Sequence, residues 1–174
     1  MVAFETGLIC LWDLSAKKGE QRFVHTASVL KSICWHMEGK HFVCSHADGS
    51  LVTWQLKPAA QAGEGLASKT PSSIIFPHGK KDKETGKIEP CEAIESVLWR
   101  VDRSNYTDYF VFSGGLAVDV TGVPPSITIM KGKSTTVLEL EHNVLDFLLV
   151  TDSPYANDYQ DPKAIIGKHG VNAI

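Results

Sequence analysis

Two stretches of this chain carry one pattern a fixed distance apart. In FETGLICLWDL, Phe4 to Leu14, Gly7 stands five residues before Trp12 and Leu14 two after it. In CSHADGSLVTWQL, Cys44 to Leu56, Gly49, Trp54 and Leu56 repeat that spacing, and each lies 42 residues beyond its counterpart. A period of this size belongs to units of four short antiparallel strands, whose faces are buried only when neighbouring units stack on them. A repeat of that kind restricts the fold more than any local propensity.

The rest of the chain agrees. Runs rich in Val, Ile, Leu, Phe and Trp, bounded by Gly, Asp, Ser and Pro, recur too closely to accommodate helices. They predict strands over Leu8 to Leu14, Leu30 to His36, His41 to His46, Leu51 to Leu56, Ala93 to Arg100, Tyr109 to Ser113, Ser126 to Met130, Thr135 to Glu141 and Val144 to Val150. Arg22 to His25 reads as a further outer strand. Glu38-Gly39 and Asp48-Gly49 supply the residues that tolerate positive φ where antiparallel strands reverse, so Leu30 to Leu56 is a three-strand meander. KSICWH at Lys31 to His36 and ESVLWR at Glu95 to Arg100 are alike, with Ser32 matching Ser96 and Trp35 matching Trp99, and each begins a unit.

The expected fold is therefore all-β: a WD40-like β-propeller fragment of two whole four-stranded blades plus two partial blades. Residues 1–56 form a partial blade and the first three strands of a full one, and 57–89 an insertion with an outer strand at Ile74 to Phe76. Residues 90–141 form the second full blade and 142–174 the start of a further one. The insertion is low in apolar residues and reads as mobile over Gln61 to Ser73 and Gly79 to Glu89. Met1 falls just before what reads as the third strand of its blade. Large apolar faces at both ends of such a stack call for the remainder of the propeller as a partner, so the chain reads as incomplete.

Within a blade, His25, Ser45, Asp48 and Trp54 occupy positions at which WD40 blades often tie the loop entering the blade to its central strands. They are the expected structural network. Other clusters invite chemistry. CWHMEGKHFVCSH gathers Cys34, His36, His41, Cys44 and His46, and period-two strands put Cys34 with His36 and Cys44 with His46, so a zinc site across the hairpin is a remote alternative. Its ligand spacing is not standard, and the hairpin is already explained as blade strands, so no metal is expected. Ser113 in FSGG, with His142 and Asp146, lacks the GxSxG strand-to-helix turn of a hydrolase. No glycine-rich phosphate loop opens a helix. Asp152, Asp158 and Asp161 do not have the spacing of an EF-hand and read as solvated turn residues. No catalytic residue and no cofactor are expected.

Bulk properties narrow the partners. The 174 residues carry 17 Lys and Arg against 20 Asp and Glu, a net charge of −3, which gives no general pull toward nucleic acid or an anionic membrane. No run of about 18 apolar residues marks a membrane span, and no secretory leader is evident, so the reading is a cytosolic one. Cys10, Cys34, Cys44 and Cys91 have no CxxC spacing and read as free thiols.

Read in order, FETGLICLWDL, AKKGEQRF, SICWHMEGKHFVCSHADGSLVTWQL, PHGK, FVFSGG, SITIMKGKSTTVLELEH and SPYANDYQDP resemble the lethal giant larvae family, in particular its tomosyn branch. PCEAIESVLWR leans toward the lethal giant larvae branch itself. The resemblance implies tandem WD40-like propellers, this chain lying in the N-terminal one, and a scaffold rather than an enzyme. For the tomosyn branch it implies syntaxin and SNARE partners and a role in exocytosis, at the plasma membrane or vesicles. For the polarity branch it implies non-muscle myosin II and polarity kinase complexes. The chain holds no SNARE-type heptad helix, so SNARE pairing carries over to no residue here. After QDPKAII the family pattern calls for a continuing apolar strand, and GKHGVNAI, with Gly167 and Gly170, is read as an interruption and an aberrant end.

Overall fold

The computed structural model describes residues 1–57, 67–118, 122–155 and 158–170, and among these every regular element is a β-strand. The chain is all-β and built of propeller-type blades. Strands β4 (Leu30–Trp35), β5 (His41–His46), β6 (Leu51–Gln55) and β8 (Ser73–Ile75) form one antiparallel sheet in that order. Strands β9 (Ile94–Val101), β10 (Asp108–Gly114), β11 (Ser126–Lys131) and β12 (Ser134–Glu139) form the next. Both follow a meander order in which each strand is antiparallel to its neighbour, with tight reversals after β4, β5 and β11 and longer links from β6 to β8 and from β10 to β11. Gly39 and Gly49 take the left-handed conformation, with φ of 67° and 78°, as the turn chemistry requires.

Before these blades lie β1 (Val2–Ala3), β2 (Leu8–Asp13) and β3 (Lys18–Val24), joined at the outer edge by β7 (Ala67–Ser68), which runs parallel to β3. Ahead of β2, which reads from the sequence as the third strand of its blade, the short strand β1 pairs with it through Val2 and Ala3. The insertion also does more than expected. It leaves β6, contributes β7 to the preceding sheet, and returns as β8. The side chain of Gln21 on β3 fixes the departure: it accepts the Lys57 amide at 3.0 Å and donates to the Lys57 carbonyl at 2.8 Å. The mobility expected over Gln61 to Ser73 lies outside the described residues as far as 66. Over 79–89 the backbone is bonded into a small hairpin: Asp82 donates to Lys87 and Glu89 to Lys80, and Asp82 Oδ1 caps Glu84 and Thr85.

The last pair is β13 (Asn143–Thr151) with β14 (Pro162–Gly170). Here the interruption expected at Gly167 is corrected. The strand runs through it, pairing Gly167 with Phe147, because a glycine outside the left-handed region keeps its ladder bonds. Residues 171–174 of that expected aberrant end lie outside the described residues.

Three apolar layers hold the sheets together. Ile9 and Phe23 pack on Leu30, Phe42, Cys44, Val52 and Trp54; Val43 and Leu51 on Ile94, Val97, Trp99 and Phe112; and Val111 and Ile127 on Phe147. Alternation along each strand sends one set of side chains to each neighbour, so the middle blades are buried on both faces. The two full blades approach most closely through their first strands, where the Trp99 amide donates to Cys34 Sγ at 3.3 Å and the Val97 amide to Ser32 Oγ at 3.4 Å.

Candidate protein-interaction site

The structure explains the 42-residue repeat at its glycines. Gly7 and Gly49 occupy the same turn of successive blades, both with positive φ, and both lie against the segment that enters the next blade. The Gly7 carbonyl accepts the His25 amide at 3.0 Å, and a Cβ on Gly7 would overlap the His25 carbonyl. A Cβ on Gly49 would stand 2.5 Å from Cys91 Cβ and 2.8 Å from the Glu92 carbonyl. Only glycine lets these backbones approach so closely.

Around this turn the expected network is rearranged. Asp48 caps it, its Oδ1 accepting the Ser50 amide at 3.0 Å and hydroxyl at 2.6 Å, and its own amide donates to Ser28 Oγ at 3.0 Å. His25 lies edge-on to His46 with ring centroids 4.9 Å apart. The expectation for Ser45 is corrected by its register. Ser45 pairs with Leu51, on the face turned toward the following blade, whereas Trp54 pairs with Phe42 on the other. One position along a strand changes the face, so His46 and not Ser45 sits with His25 and on the side of Trp54. His46 Nδ1 donates to the Ser28 carbonyl at 3.3 Å, and burial pushes its pKa below the ordinary value. The Ser45 hydroxyl, His46 Nε2 and the Trp54 indole nitrogen are buried with no hydrogen-bond partner.

The same parity removes the zinc alternative. Cys34 pairs with Val43 and Ile33 with Cys44, so Cys34 packs toward the following blade and Cys44 toward the preceding one. The backbone of the sheet lies between the two thiols, and burial raises the pKa of Cys44 strongly. His36 instead packs on Trp99, with its Nε2 3.8 Å from Asp108. Ser113 is buried in β10 between Ser96 and Ile127, and no hydrogen bond joins it to His142 or Asp146 among the described residues.

The three loop aspartates are not merely solvated, which corrects the sequence reading. Asp152 Oδ1 accepts the Asp161 amide at 3.0 Å, Asp161 Oδ1 accepts the Arg103 amide at 2.7 Å, and both Asp158 oxygens accept Arg103 Nη2 at 2.9 Å. With the Gln160 amide donating to the Val101 carbonyl at 3.2 Å, these bonds fasten the loop between β13 and β14 onto the β9–β10 hairpin.

Among the described residues, two cavities lie at opposite ends of the strands. One, of about 430 Å³, lies at the start of β9 and β13 and is lined by Glu92, Glu95, Ser113, Ser126 and Asn143 among others; the Ser126 hydroxyl has no partner. The second, of about 330 Å³, lies where β4 and β9 end, between Trp35, Met37, Arg100, Pro154, Asp158 and Gln160. Both have the size to take side chains of a protein partner. Among the described residues, no hydrogen bond joins a serine or cysteine of either lining to a carboxylate or a histidine. No sequence signal marked Arg100, a polar residue in ordinary strand alternation.

The model of the LLGL family, described as LLGL2, matches residues 74–167. Human LLGL scribble cell polarity complex component 2 is 26% identical over 166 residues, covering 95% of this chain and 15% of the relative. The rat Lethal(2) giant larvae protein homolog 1 is 25% identical over 166 residues, with 95% and 14% covered. The chain thus spans about a seventh of the length of these relatives. Among solved structures, the Cps50 (Swd1) beta-propeller domain of Myceliophteria thermophila is similar with a TM-score of 0.47 and 9% identity, covering 84% of this chain and 40% of that one.

Proposed function

The chain belongs to the LLGL family, and on that footing we propose that it forms part of a non-enzymatic protein-interaction scaffold of the cell-polarity branch. The observation that carries this reading is the reach of the match. The family model begins in β8 and ends in β14, so it covers the second blade, its seam with β13 and β14, and the ends of the loop that joins those two strands. Relatives named for lethal giant larvae and for the scribble polarity complex align over 95% of the chain. Partners of the polarity branch, non-muscle myosin II among them, would meet the exposed blade ends and the insertion. The protein would be cytoplasmic and peripherally associated with the cell cortex. Among the described residues no helix is long and apolar enough to cross a membrane.

A second reading, a tomosyn-like regulator of exocytosis that binds syntaxin and the SNARE machinery, is favoured by the block from FSGG to VLELEH, which falls on β10 to β12. Affinity capture with the tagged chain from polarised epithelial cells separates the two. The first reading expects non-muscle myosin II heavy chain to be enriched over a scrambled-blade control, with syntaxin at background. Syntaxin enriched without myosin would replace it by the second.

A further inference from the structure

We propose that the cavity at the ends of β4 and β9 is a docking pocket for an acidic side chain of a peptide segment from a protein partner, received by Arg100. The guanidinium is part-buried. Its Nη1 is occupied, donating to the Trp99 carbonyl at 2.7 Å with Cys34 Sγ 3.8 Å away. Its Nε is buried with no partner, and among the described residues its Nη2 makes no hydrogen bond and no carboxylate lies within ion-pair distance. The Nε and Nη2 side of an arginine is the edge that takes a carboxylate through two parallel bonds. A cation withdrawn from water without an anion is costly, so an arriving carboxylate gains more here than at the surface.

The acids nearby do not fill that role. Asp158 lines the cavity, yet both of its oxygens accept Arg103, and Asp108 faces the Trp99 indole at 2.8 Å and His36. The walls add apolar area: Trp35 is exposed to the extent of 36%, and Met37 and Pro154 complete the rim. Arginine and tryptophan, which both line this cavity, are the usual anchors of protein interfaces. The charge selects glutamate or aspartate, and the rim selects an apolar neighbour beside it.

This pocket rests on the scaffold reading and adds the chemistry of a partner to it. The test is calorimetric titration of the full chain with a panel of blocked pentapeptides, each with a central glutamate flanked by apolar residues, and with the same panel carrying glutamine. Glutamate members are expected to bind about tenfold tighter or more, with the preference abolished in Arg100→Gln. Because Arg100→Gln can also disturb folding, Met37→Glu supplies a second check. A carboxylate placed at the rim should occupy the guanidinium and block the glutamate peptides, whereas Met37→Gln should leave them bound. Equal affinity for both panels, no binding to either, or unchanged binding in Met37→Glu would overturn the pocket. The scaffold reading is judged separately by capture of myosin with the unaltered chain, an outcome that does not depend on this pocket.

Discussion

Trp12 and Trp54 hold the same place in two successive repeats, and their surroundings differ completely. Trp54 is 1% exposed, edge-on to Phe23 at 5.3 Å and stacked with Phe42 at 6.4 Å. Trp12 is 46% exposed, and Leu14 after it 84%. The residue type and its position in the blade are alike, so the difference lies in what stands beside the sheet. Trp54 has the sheet of β1 to β3 against it, while nothing among the described residues packs on the side of Trp12. At the far end the same holds for β13 and β14, where Leu148 and its partner Ile166 are 52% and 56% exposed. In a stacked architecture the burial of a core residue is set by its neighbour as much as by its own sequence.

Truncating the two tryptophans is the strongest way to break this contrast. Trp54→Ala should cost about 3–5 kcal/mol in urea unfolding of the chain, and Trp12→Ala should stay within about 0.5 kcal/mol, as for other surface changes. Comparable losses at both sites would mean that Trp12 is packed after all. The turns give the next largest effect. Gly49→Ala must hold an alanine in the left-handed region, at about 1–2 kcal/mol, and must also push Cys91 and Glu92 aside, so its measured cost should exceed that of Gly39→Ala. At Gly39 a Cβ meets nothing within 4 Å and only the backbone term remains.

These turns and the strands around them were legible because each needs a particular residue type: an Asp-Gly corner, an alternating apolar run, a Trp at a fixed distance. Which face a side chain takes was less so. Ser45 and His46 are neighbours of similar polarity, and only the register of β5 against β6 puts His46 with His25. β7 was illegible for a different reason. Two small residues, Ala67 and Ser68, become a strand only because β3 offers an open edge. Asp152, Asp158 and Asp161 look like solvated acids until the fold brings Arg103, some fifty residues earlier, against them. The Arg100 pocket was hidden for the same reason, since its walls come from β4, β9 and the loop after β13.

A smaller effect separates packed seams from open surface by pH. His36, His46 and His78 all have pKa values lowered, mainly by burial, and His78 Nε2 lies 2.9 Å from the buried Thr128 hydroxyl. Their neutral forms belong to the folded chain, and the unfolded chain takes up protons first as pH falls through the ordinary histidine value of about 6.5. Stability should therefore be full above that value and decline below it, until the lowered folded values are passed. The urea midpoint should drop between about pH 7.5 and about pH 5.5, and His78→Gln should flatten that drop. A midpoint that rises over the same interval would show that the histidines are charged in the fold.

The most direct test of the stacked-blade account uses the four tryptophans together. With 5-fluorotryptophan in the intact chain, each signal in the fluorine NMR spectrum, assigned by single Trp→Phe variants, reports contact with solvent through its shift on transfer from H₂O to D₂O. The account predicts a negligible shift for Trp54, a small one for Trp99, and a large one for Trp12. Equal shifts for Trp12 and Trp54 would contradict it, because the two repeats would then share one environment and the sheets would not be stacked in this order.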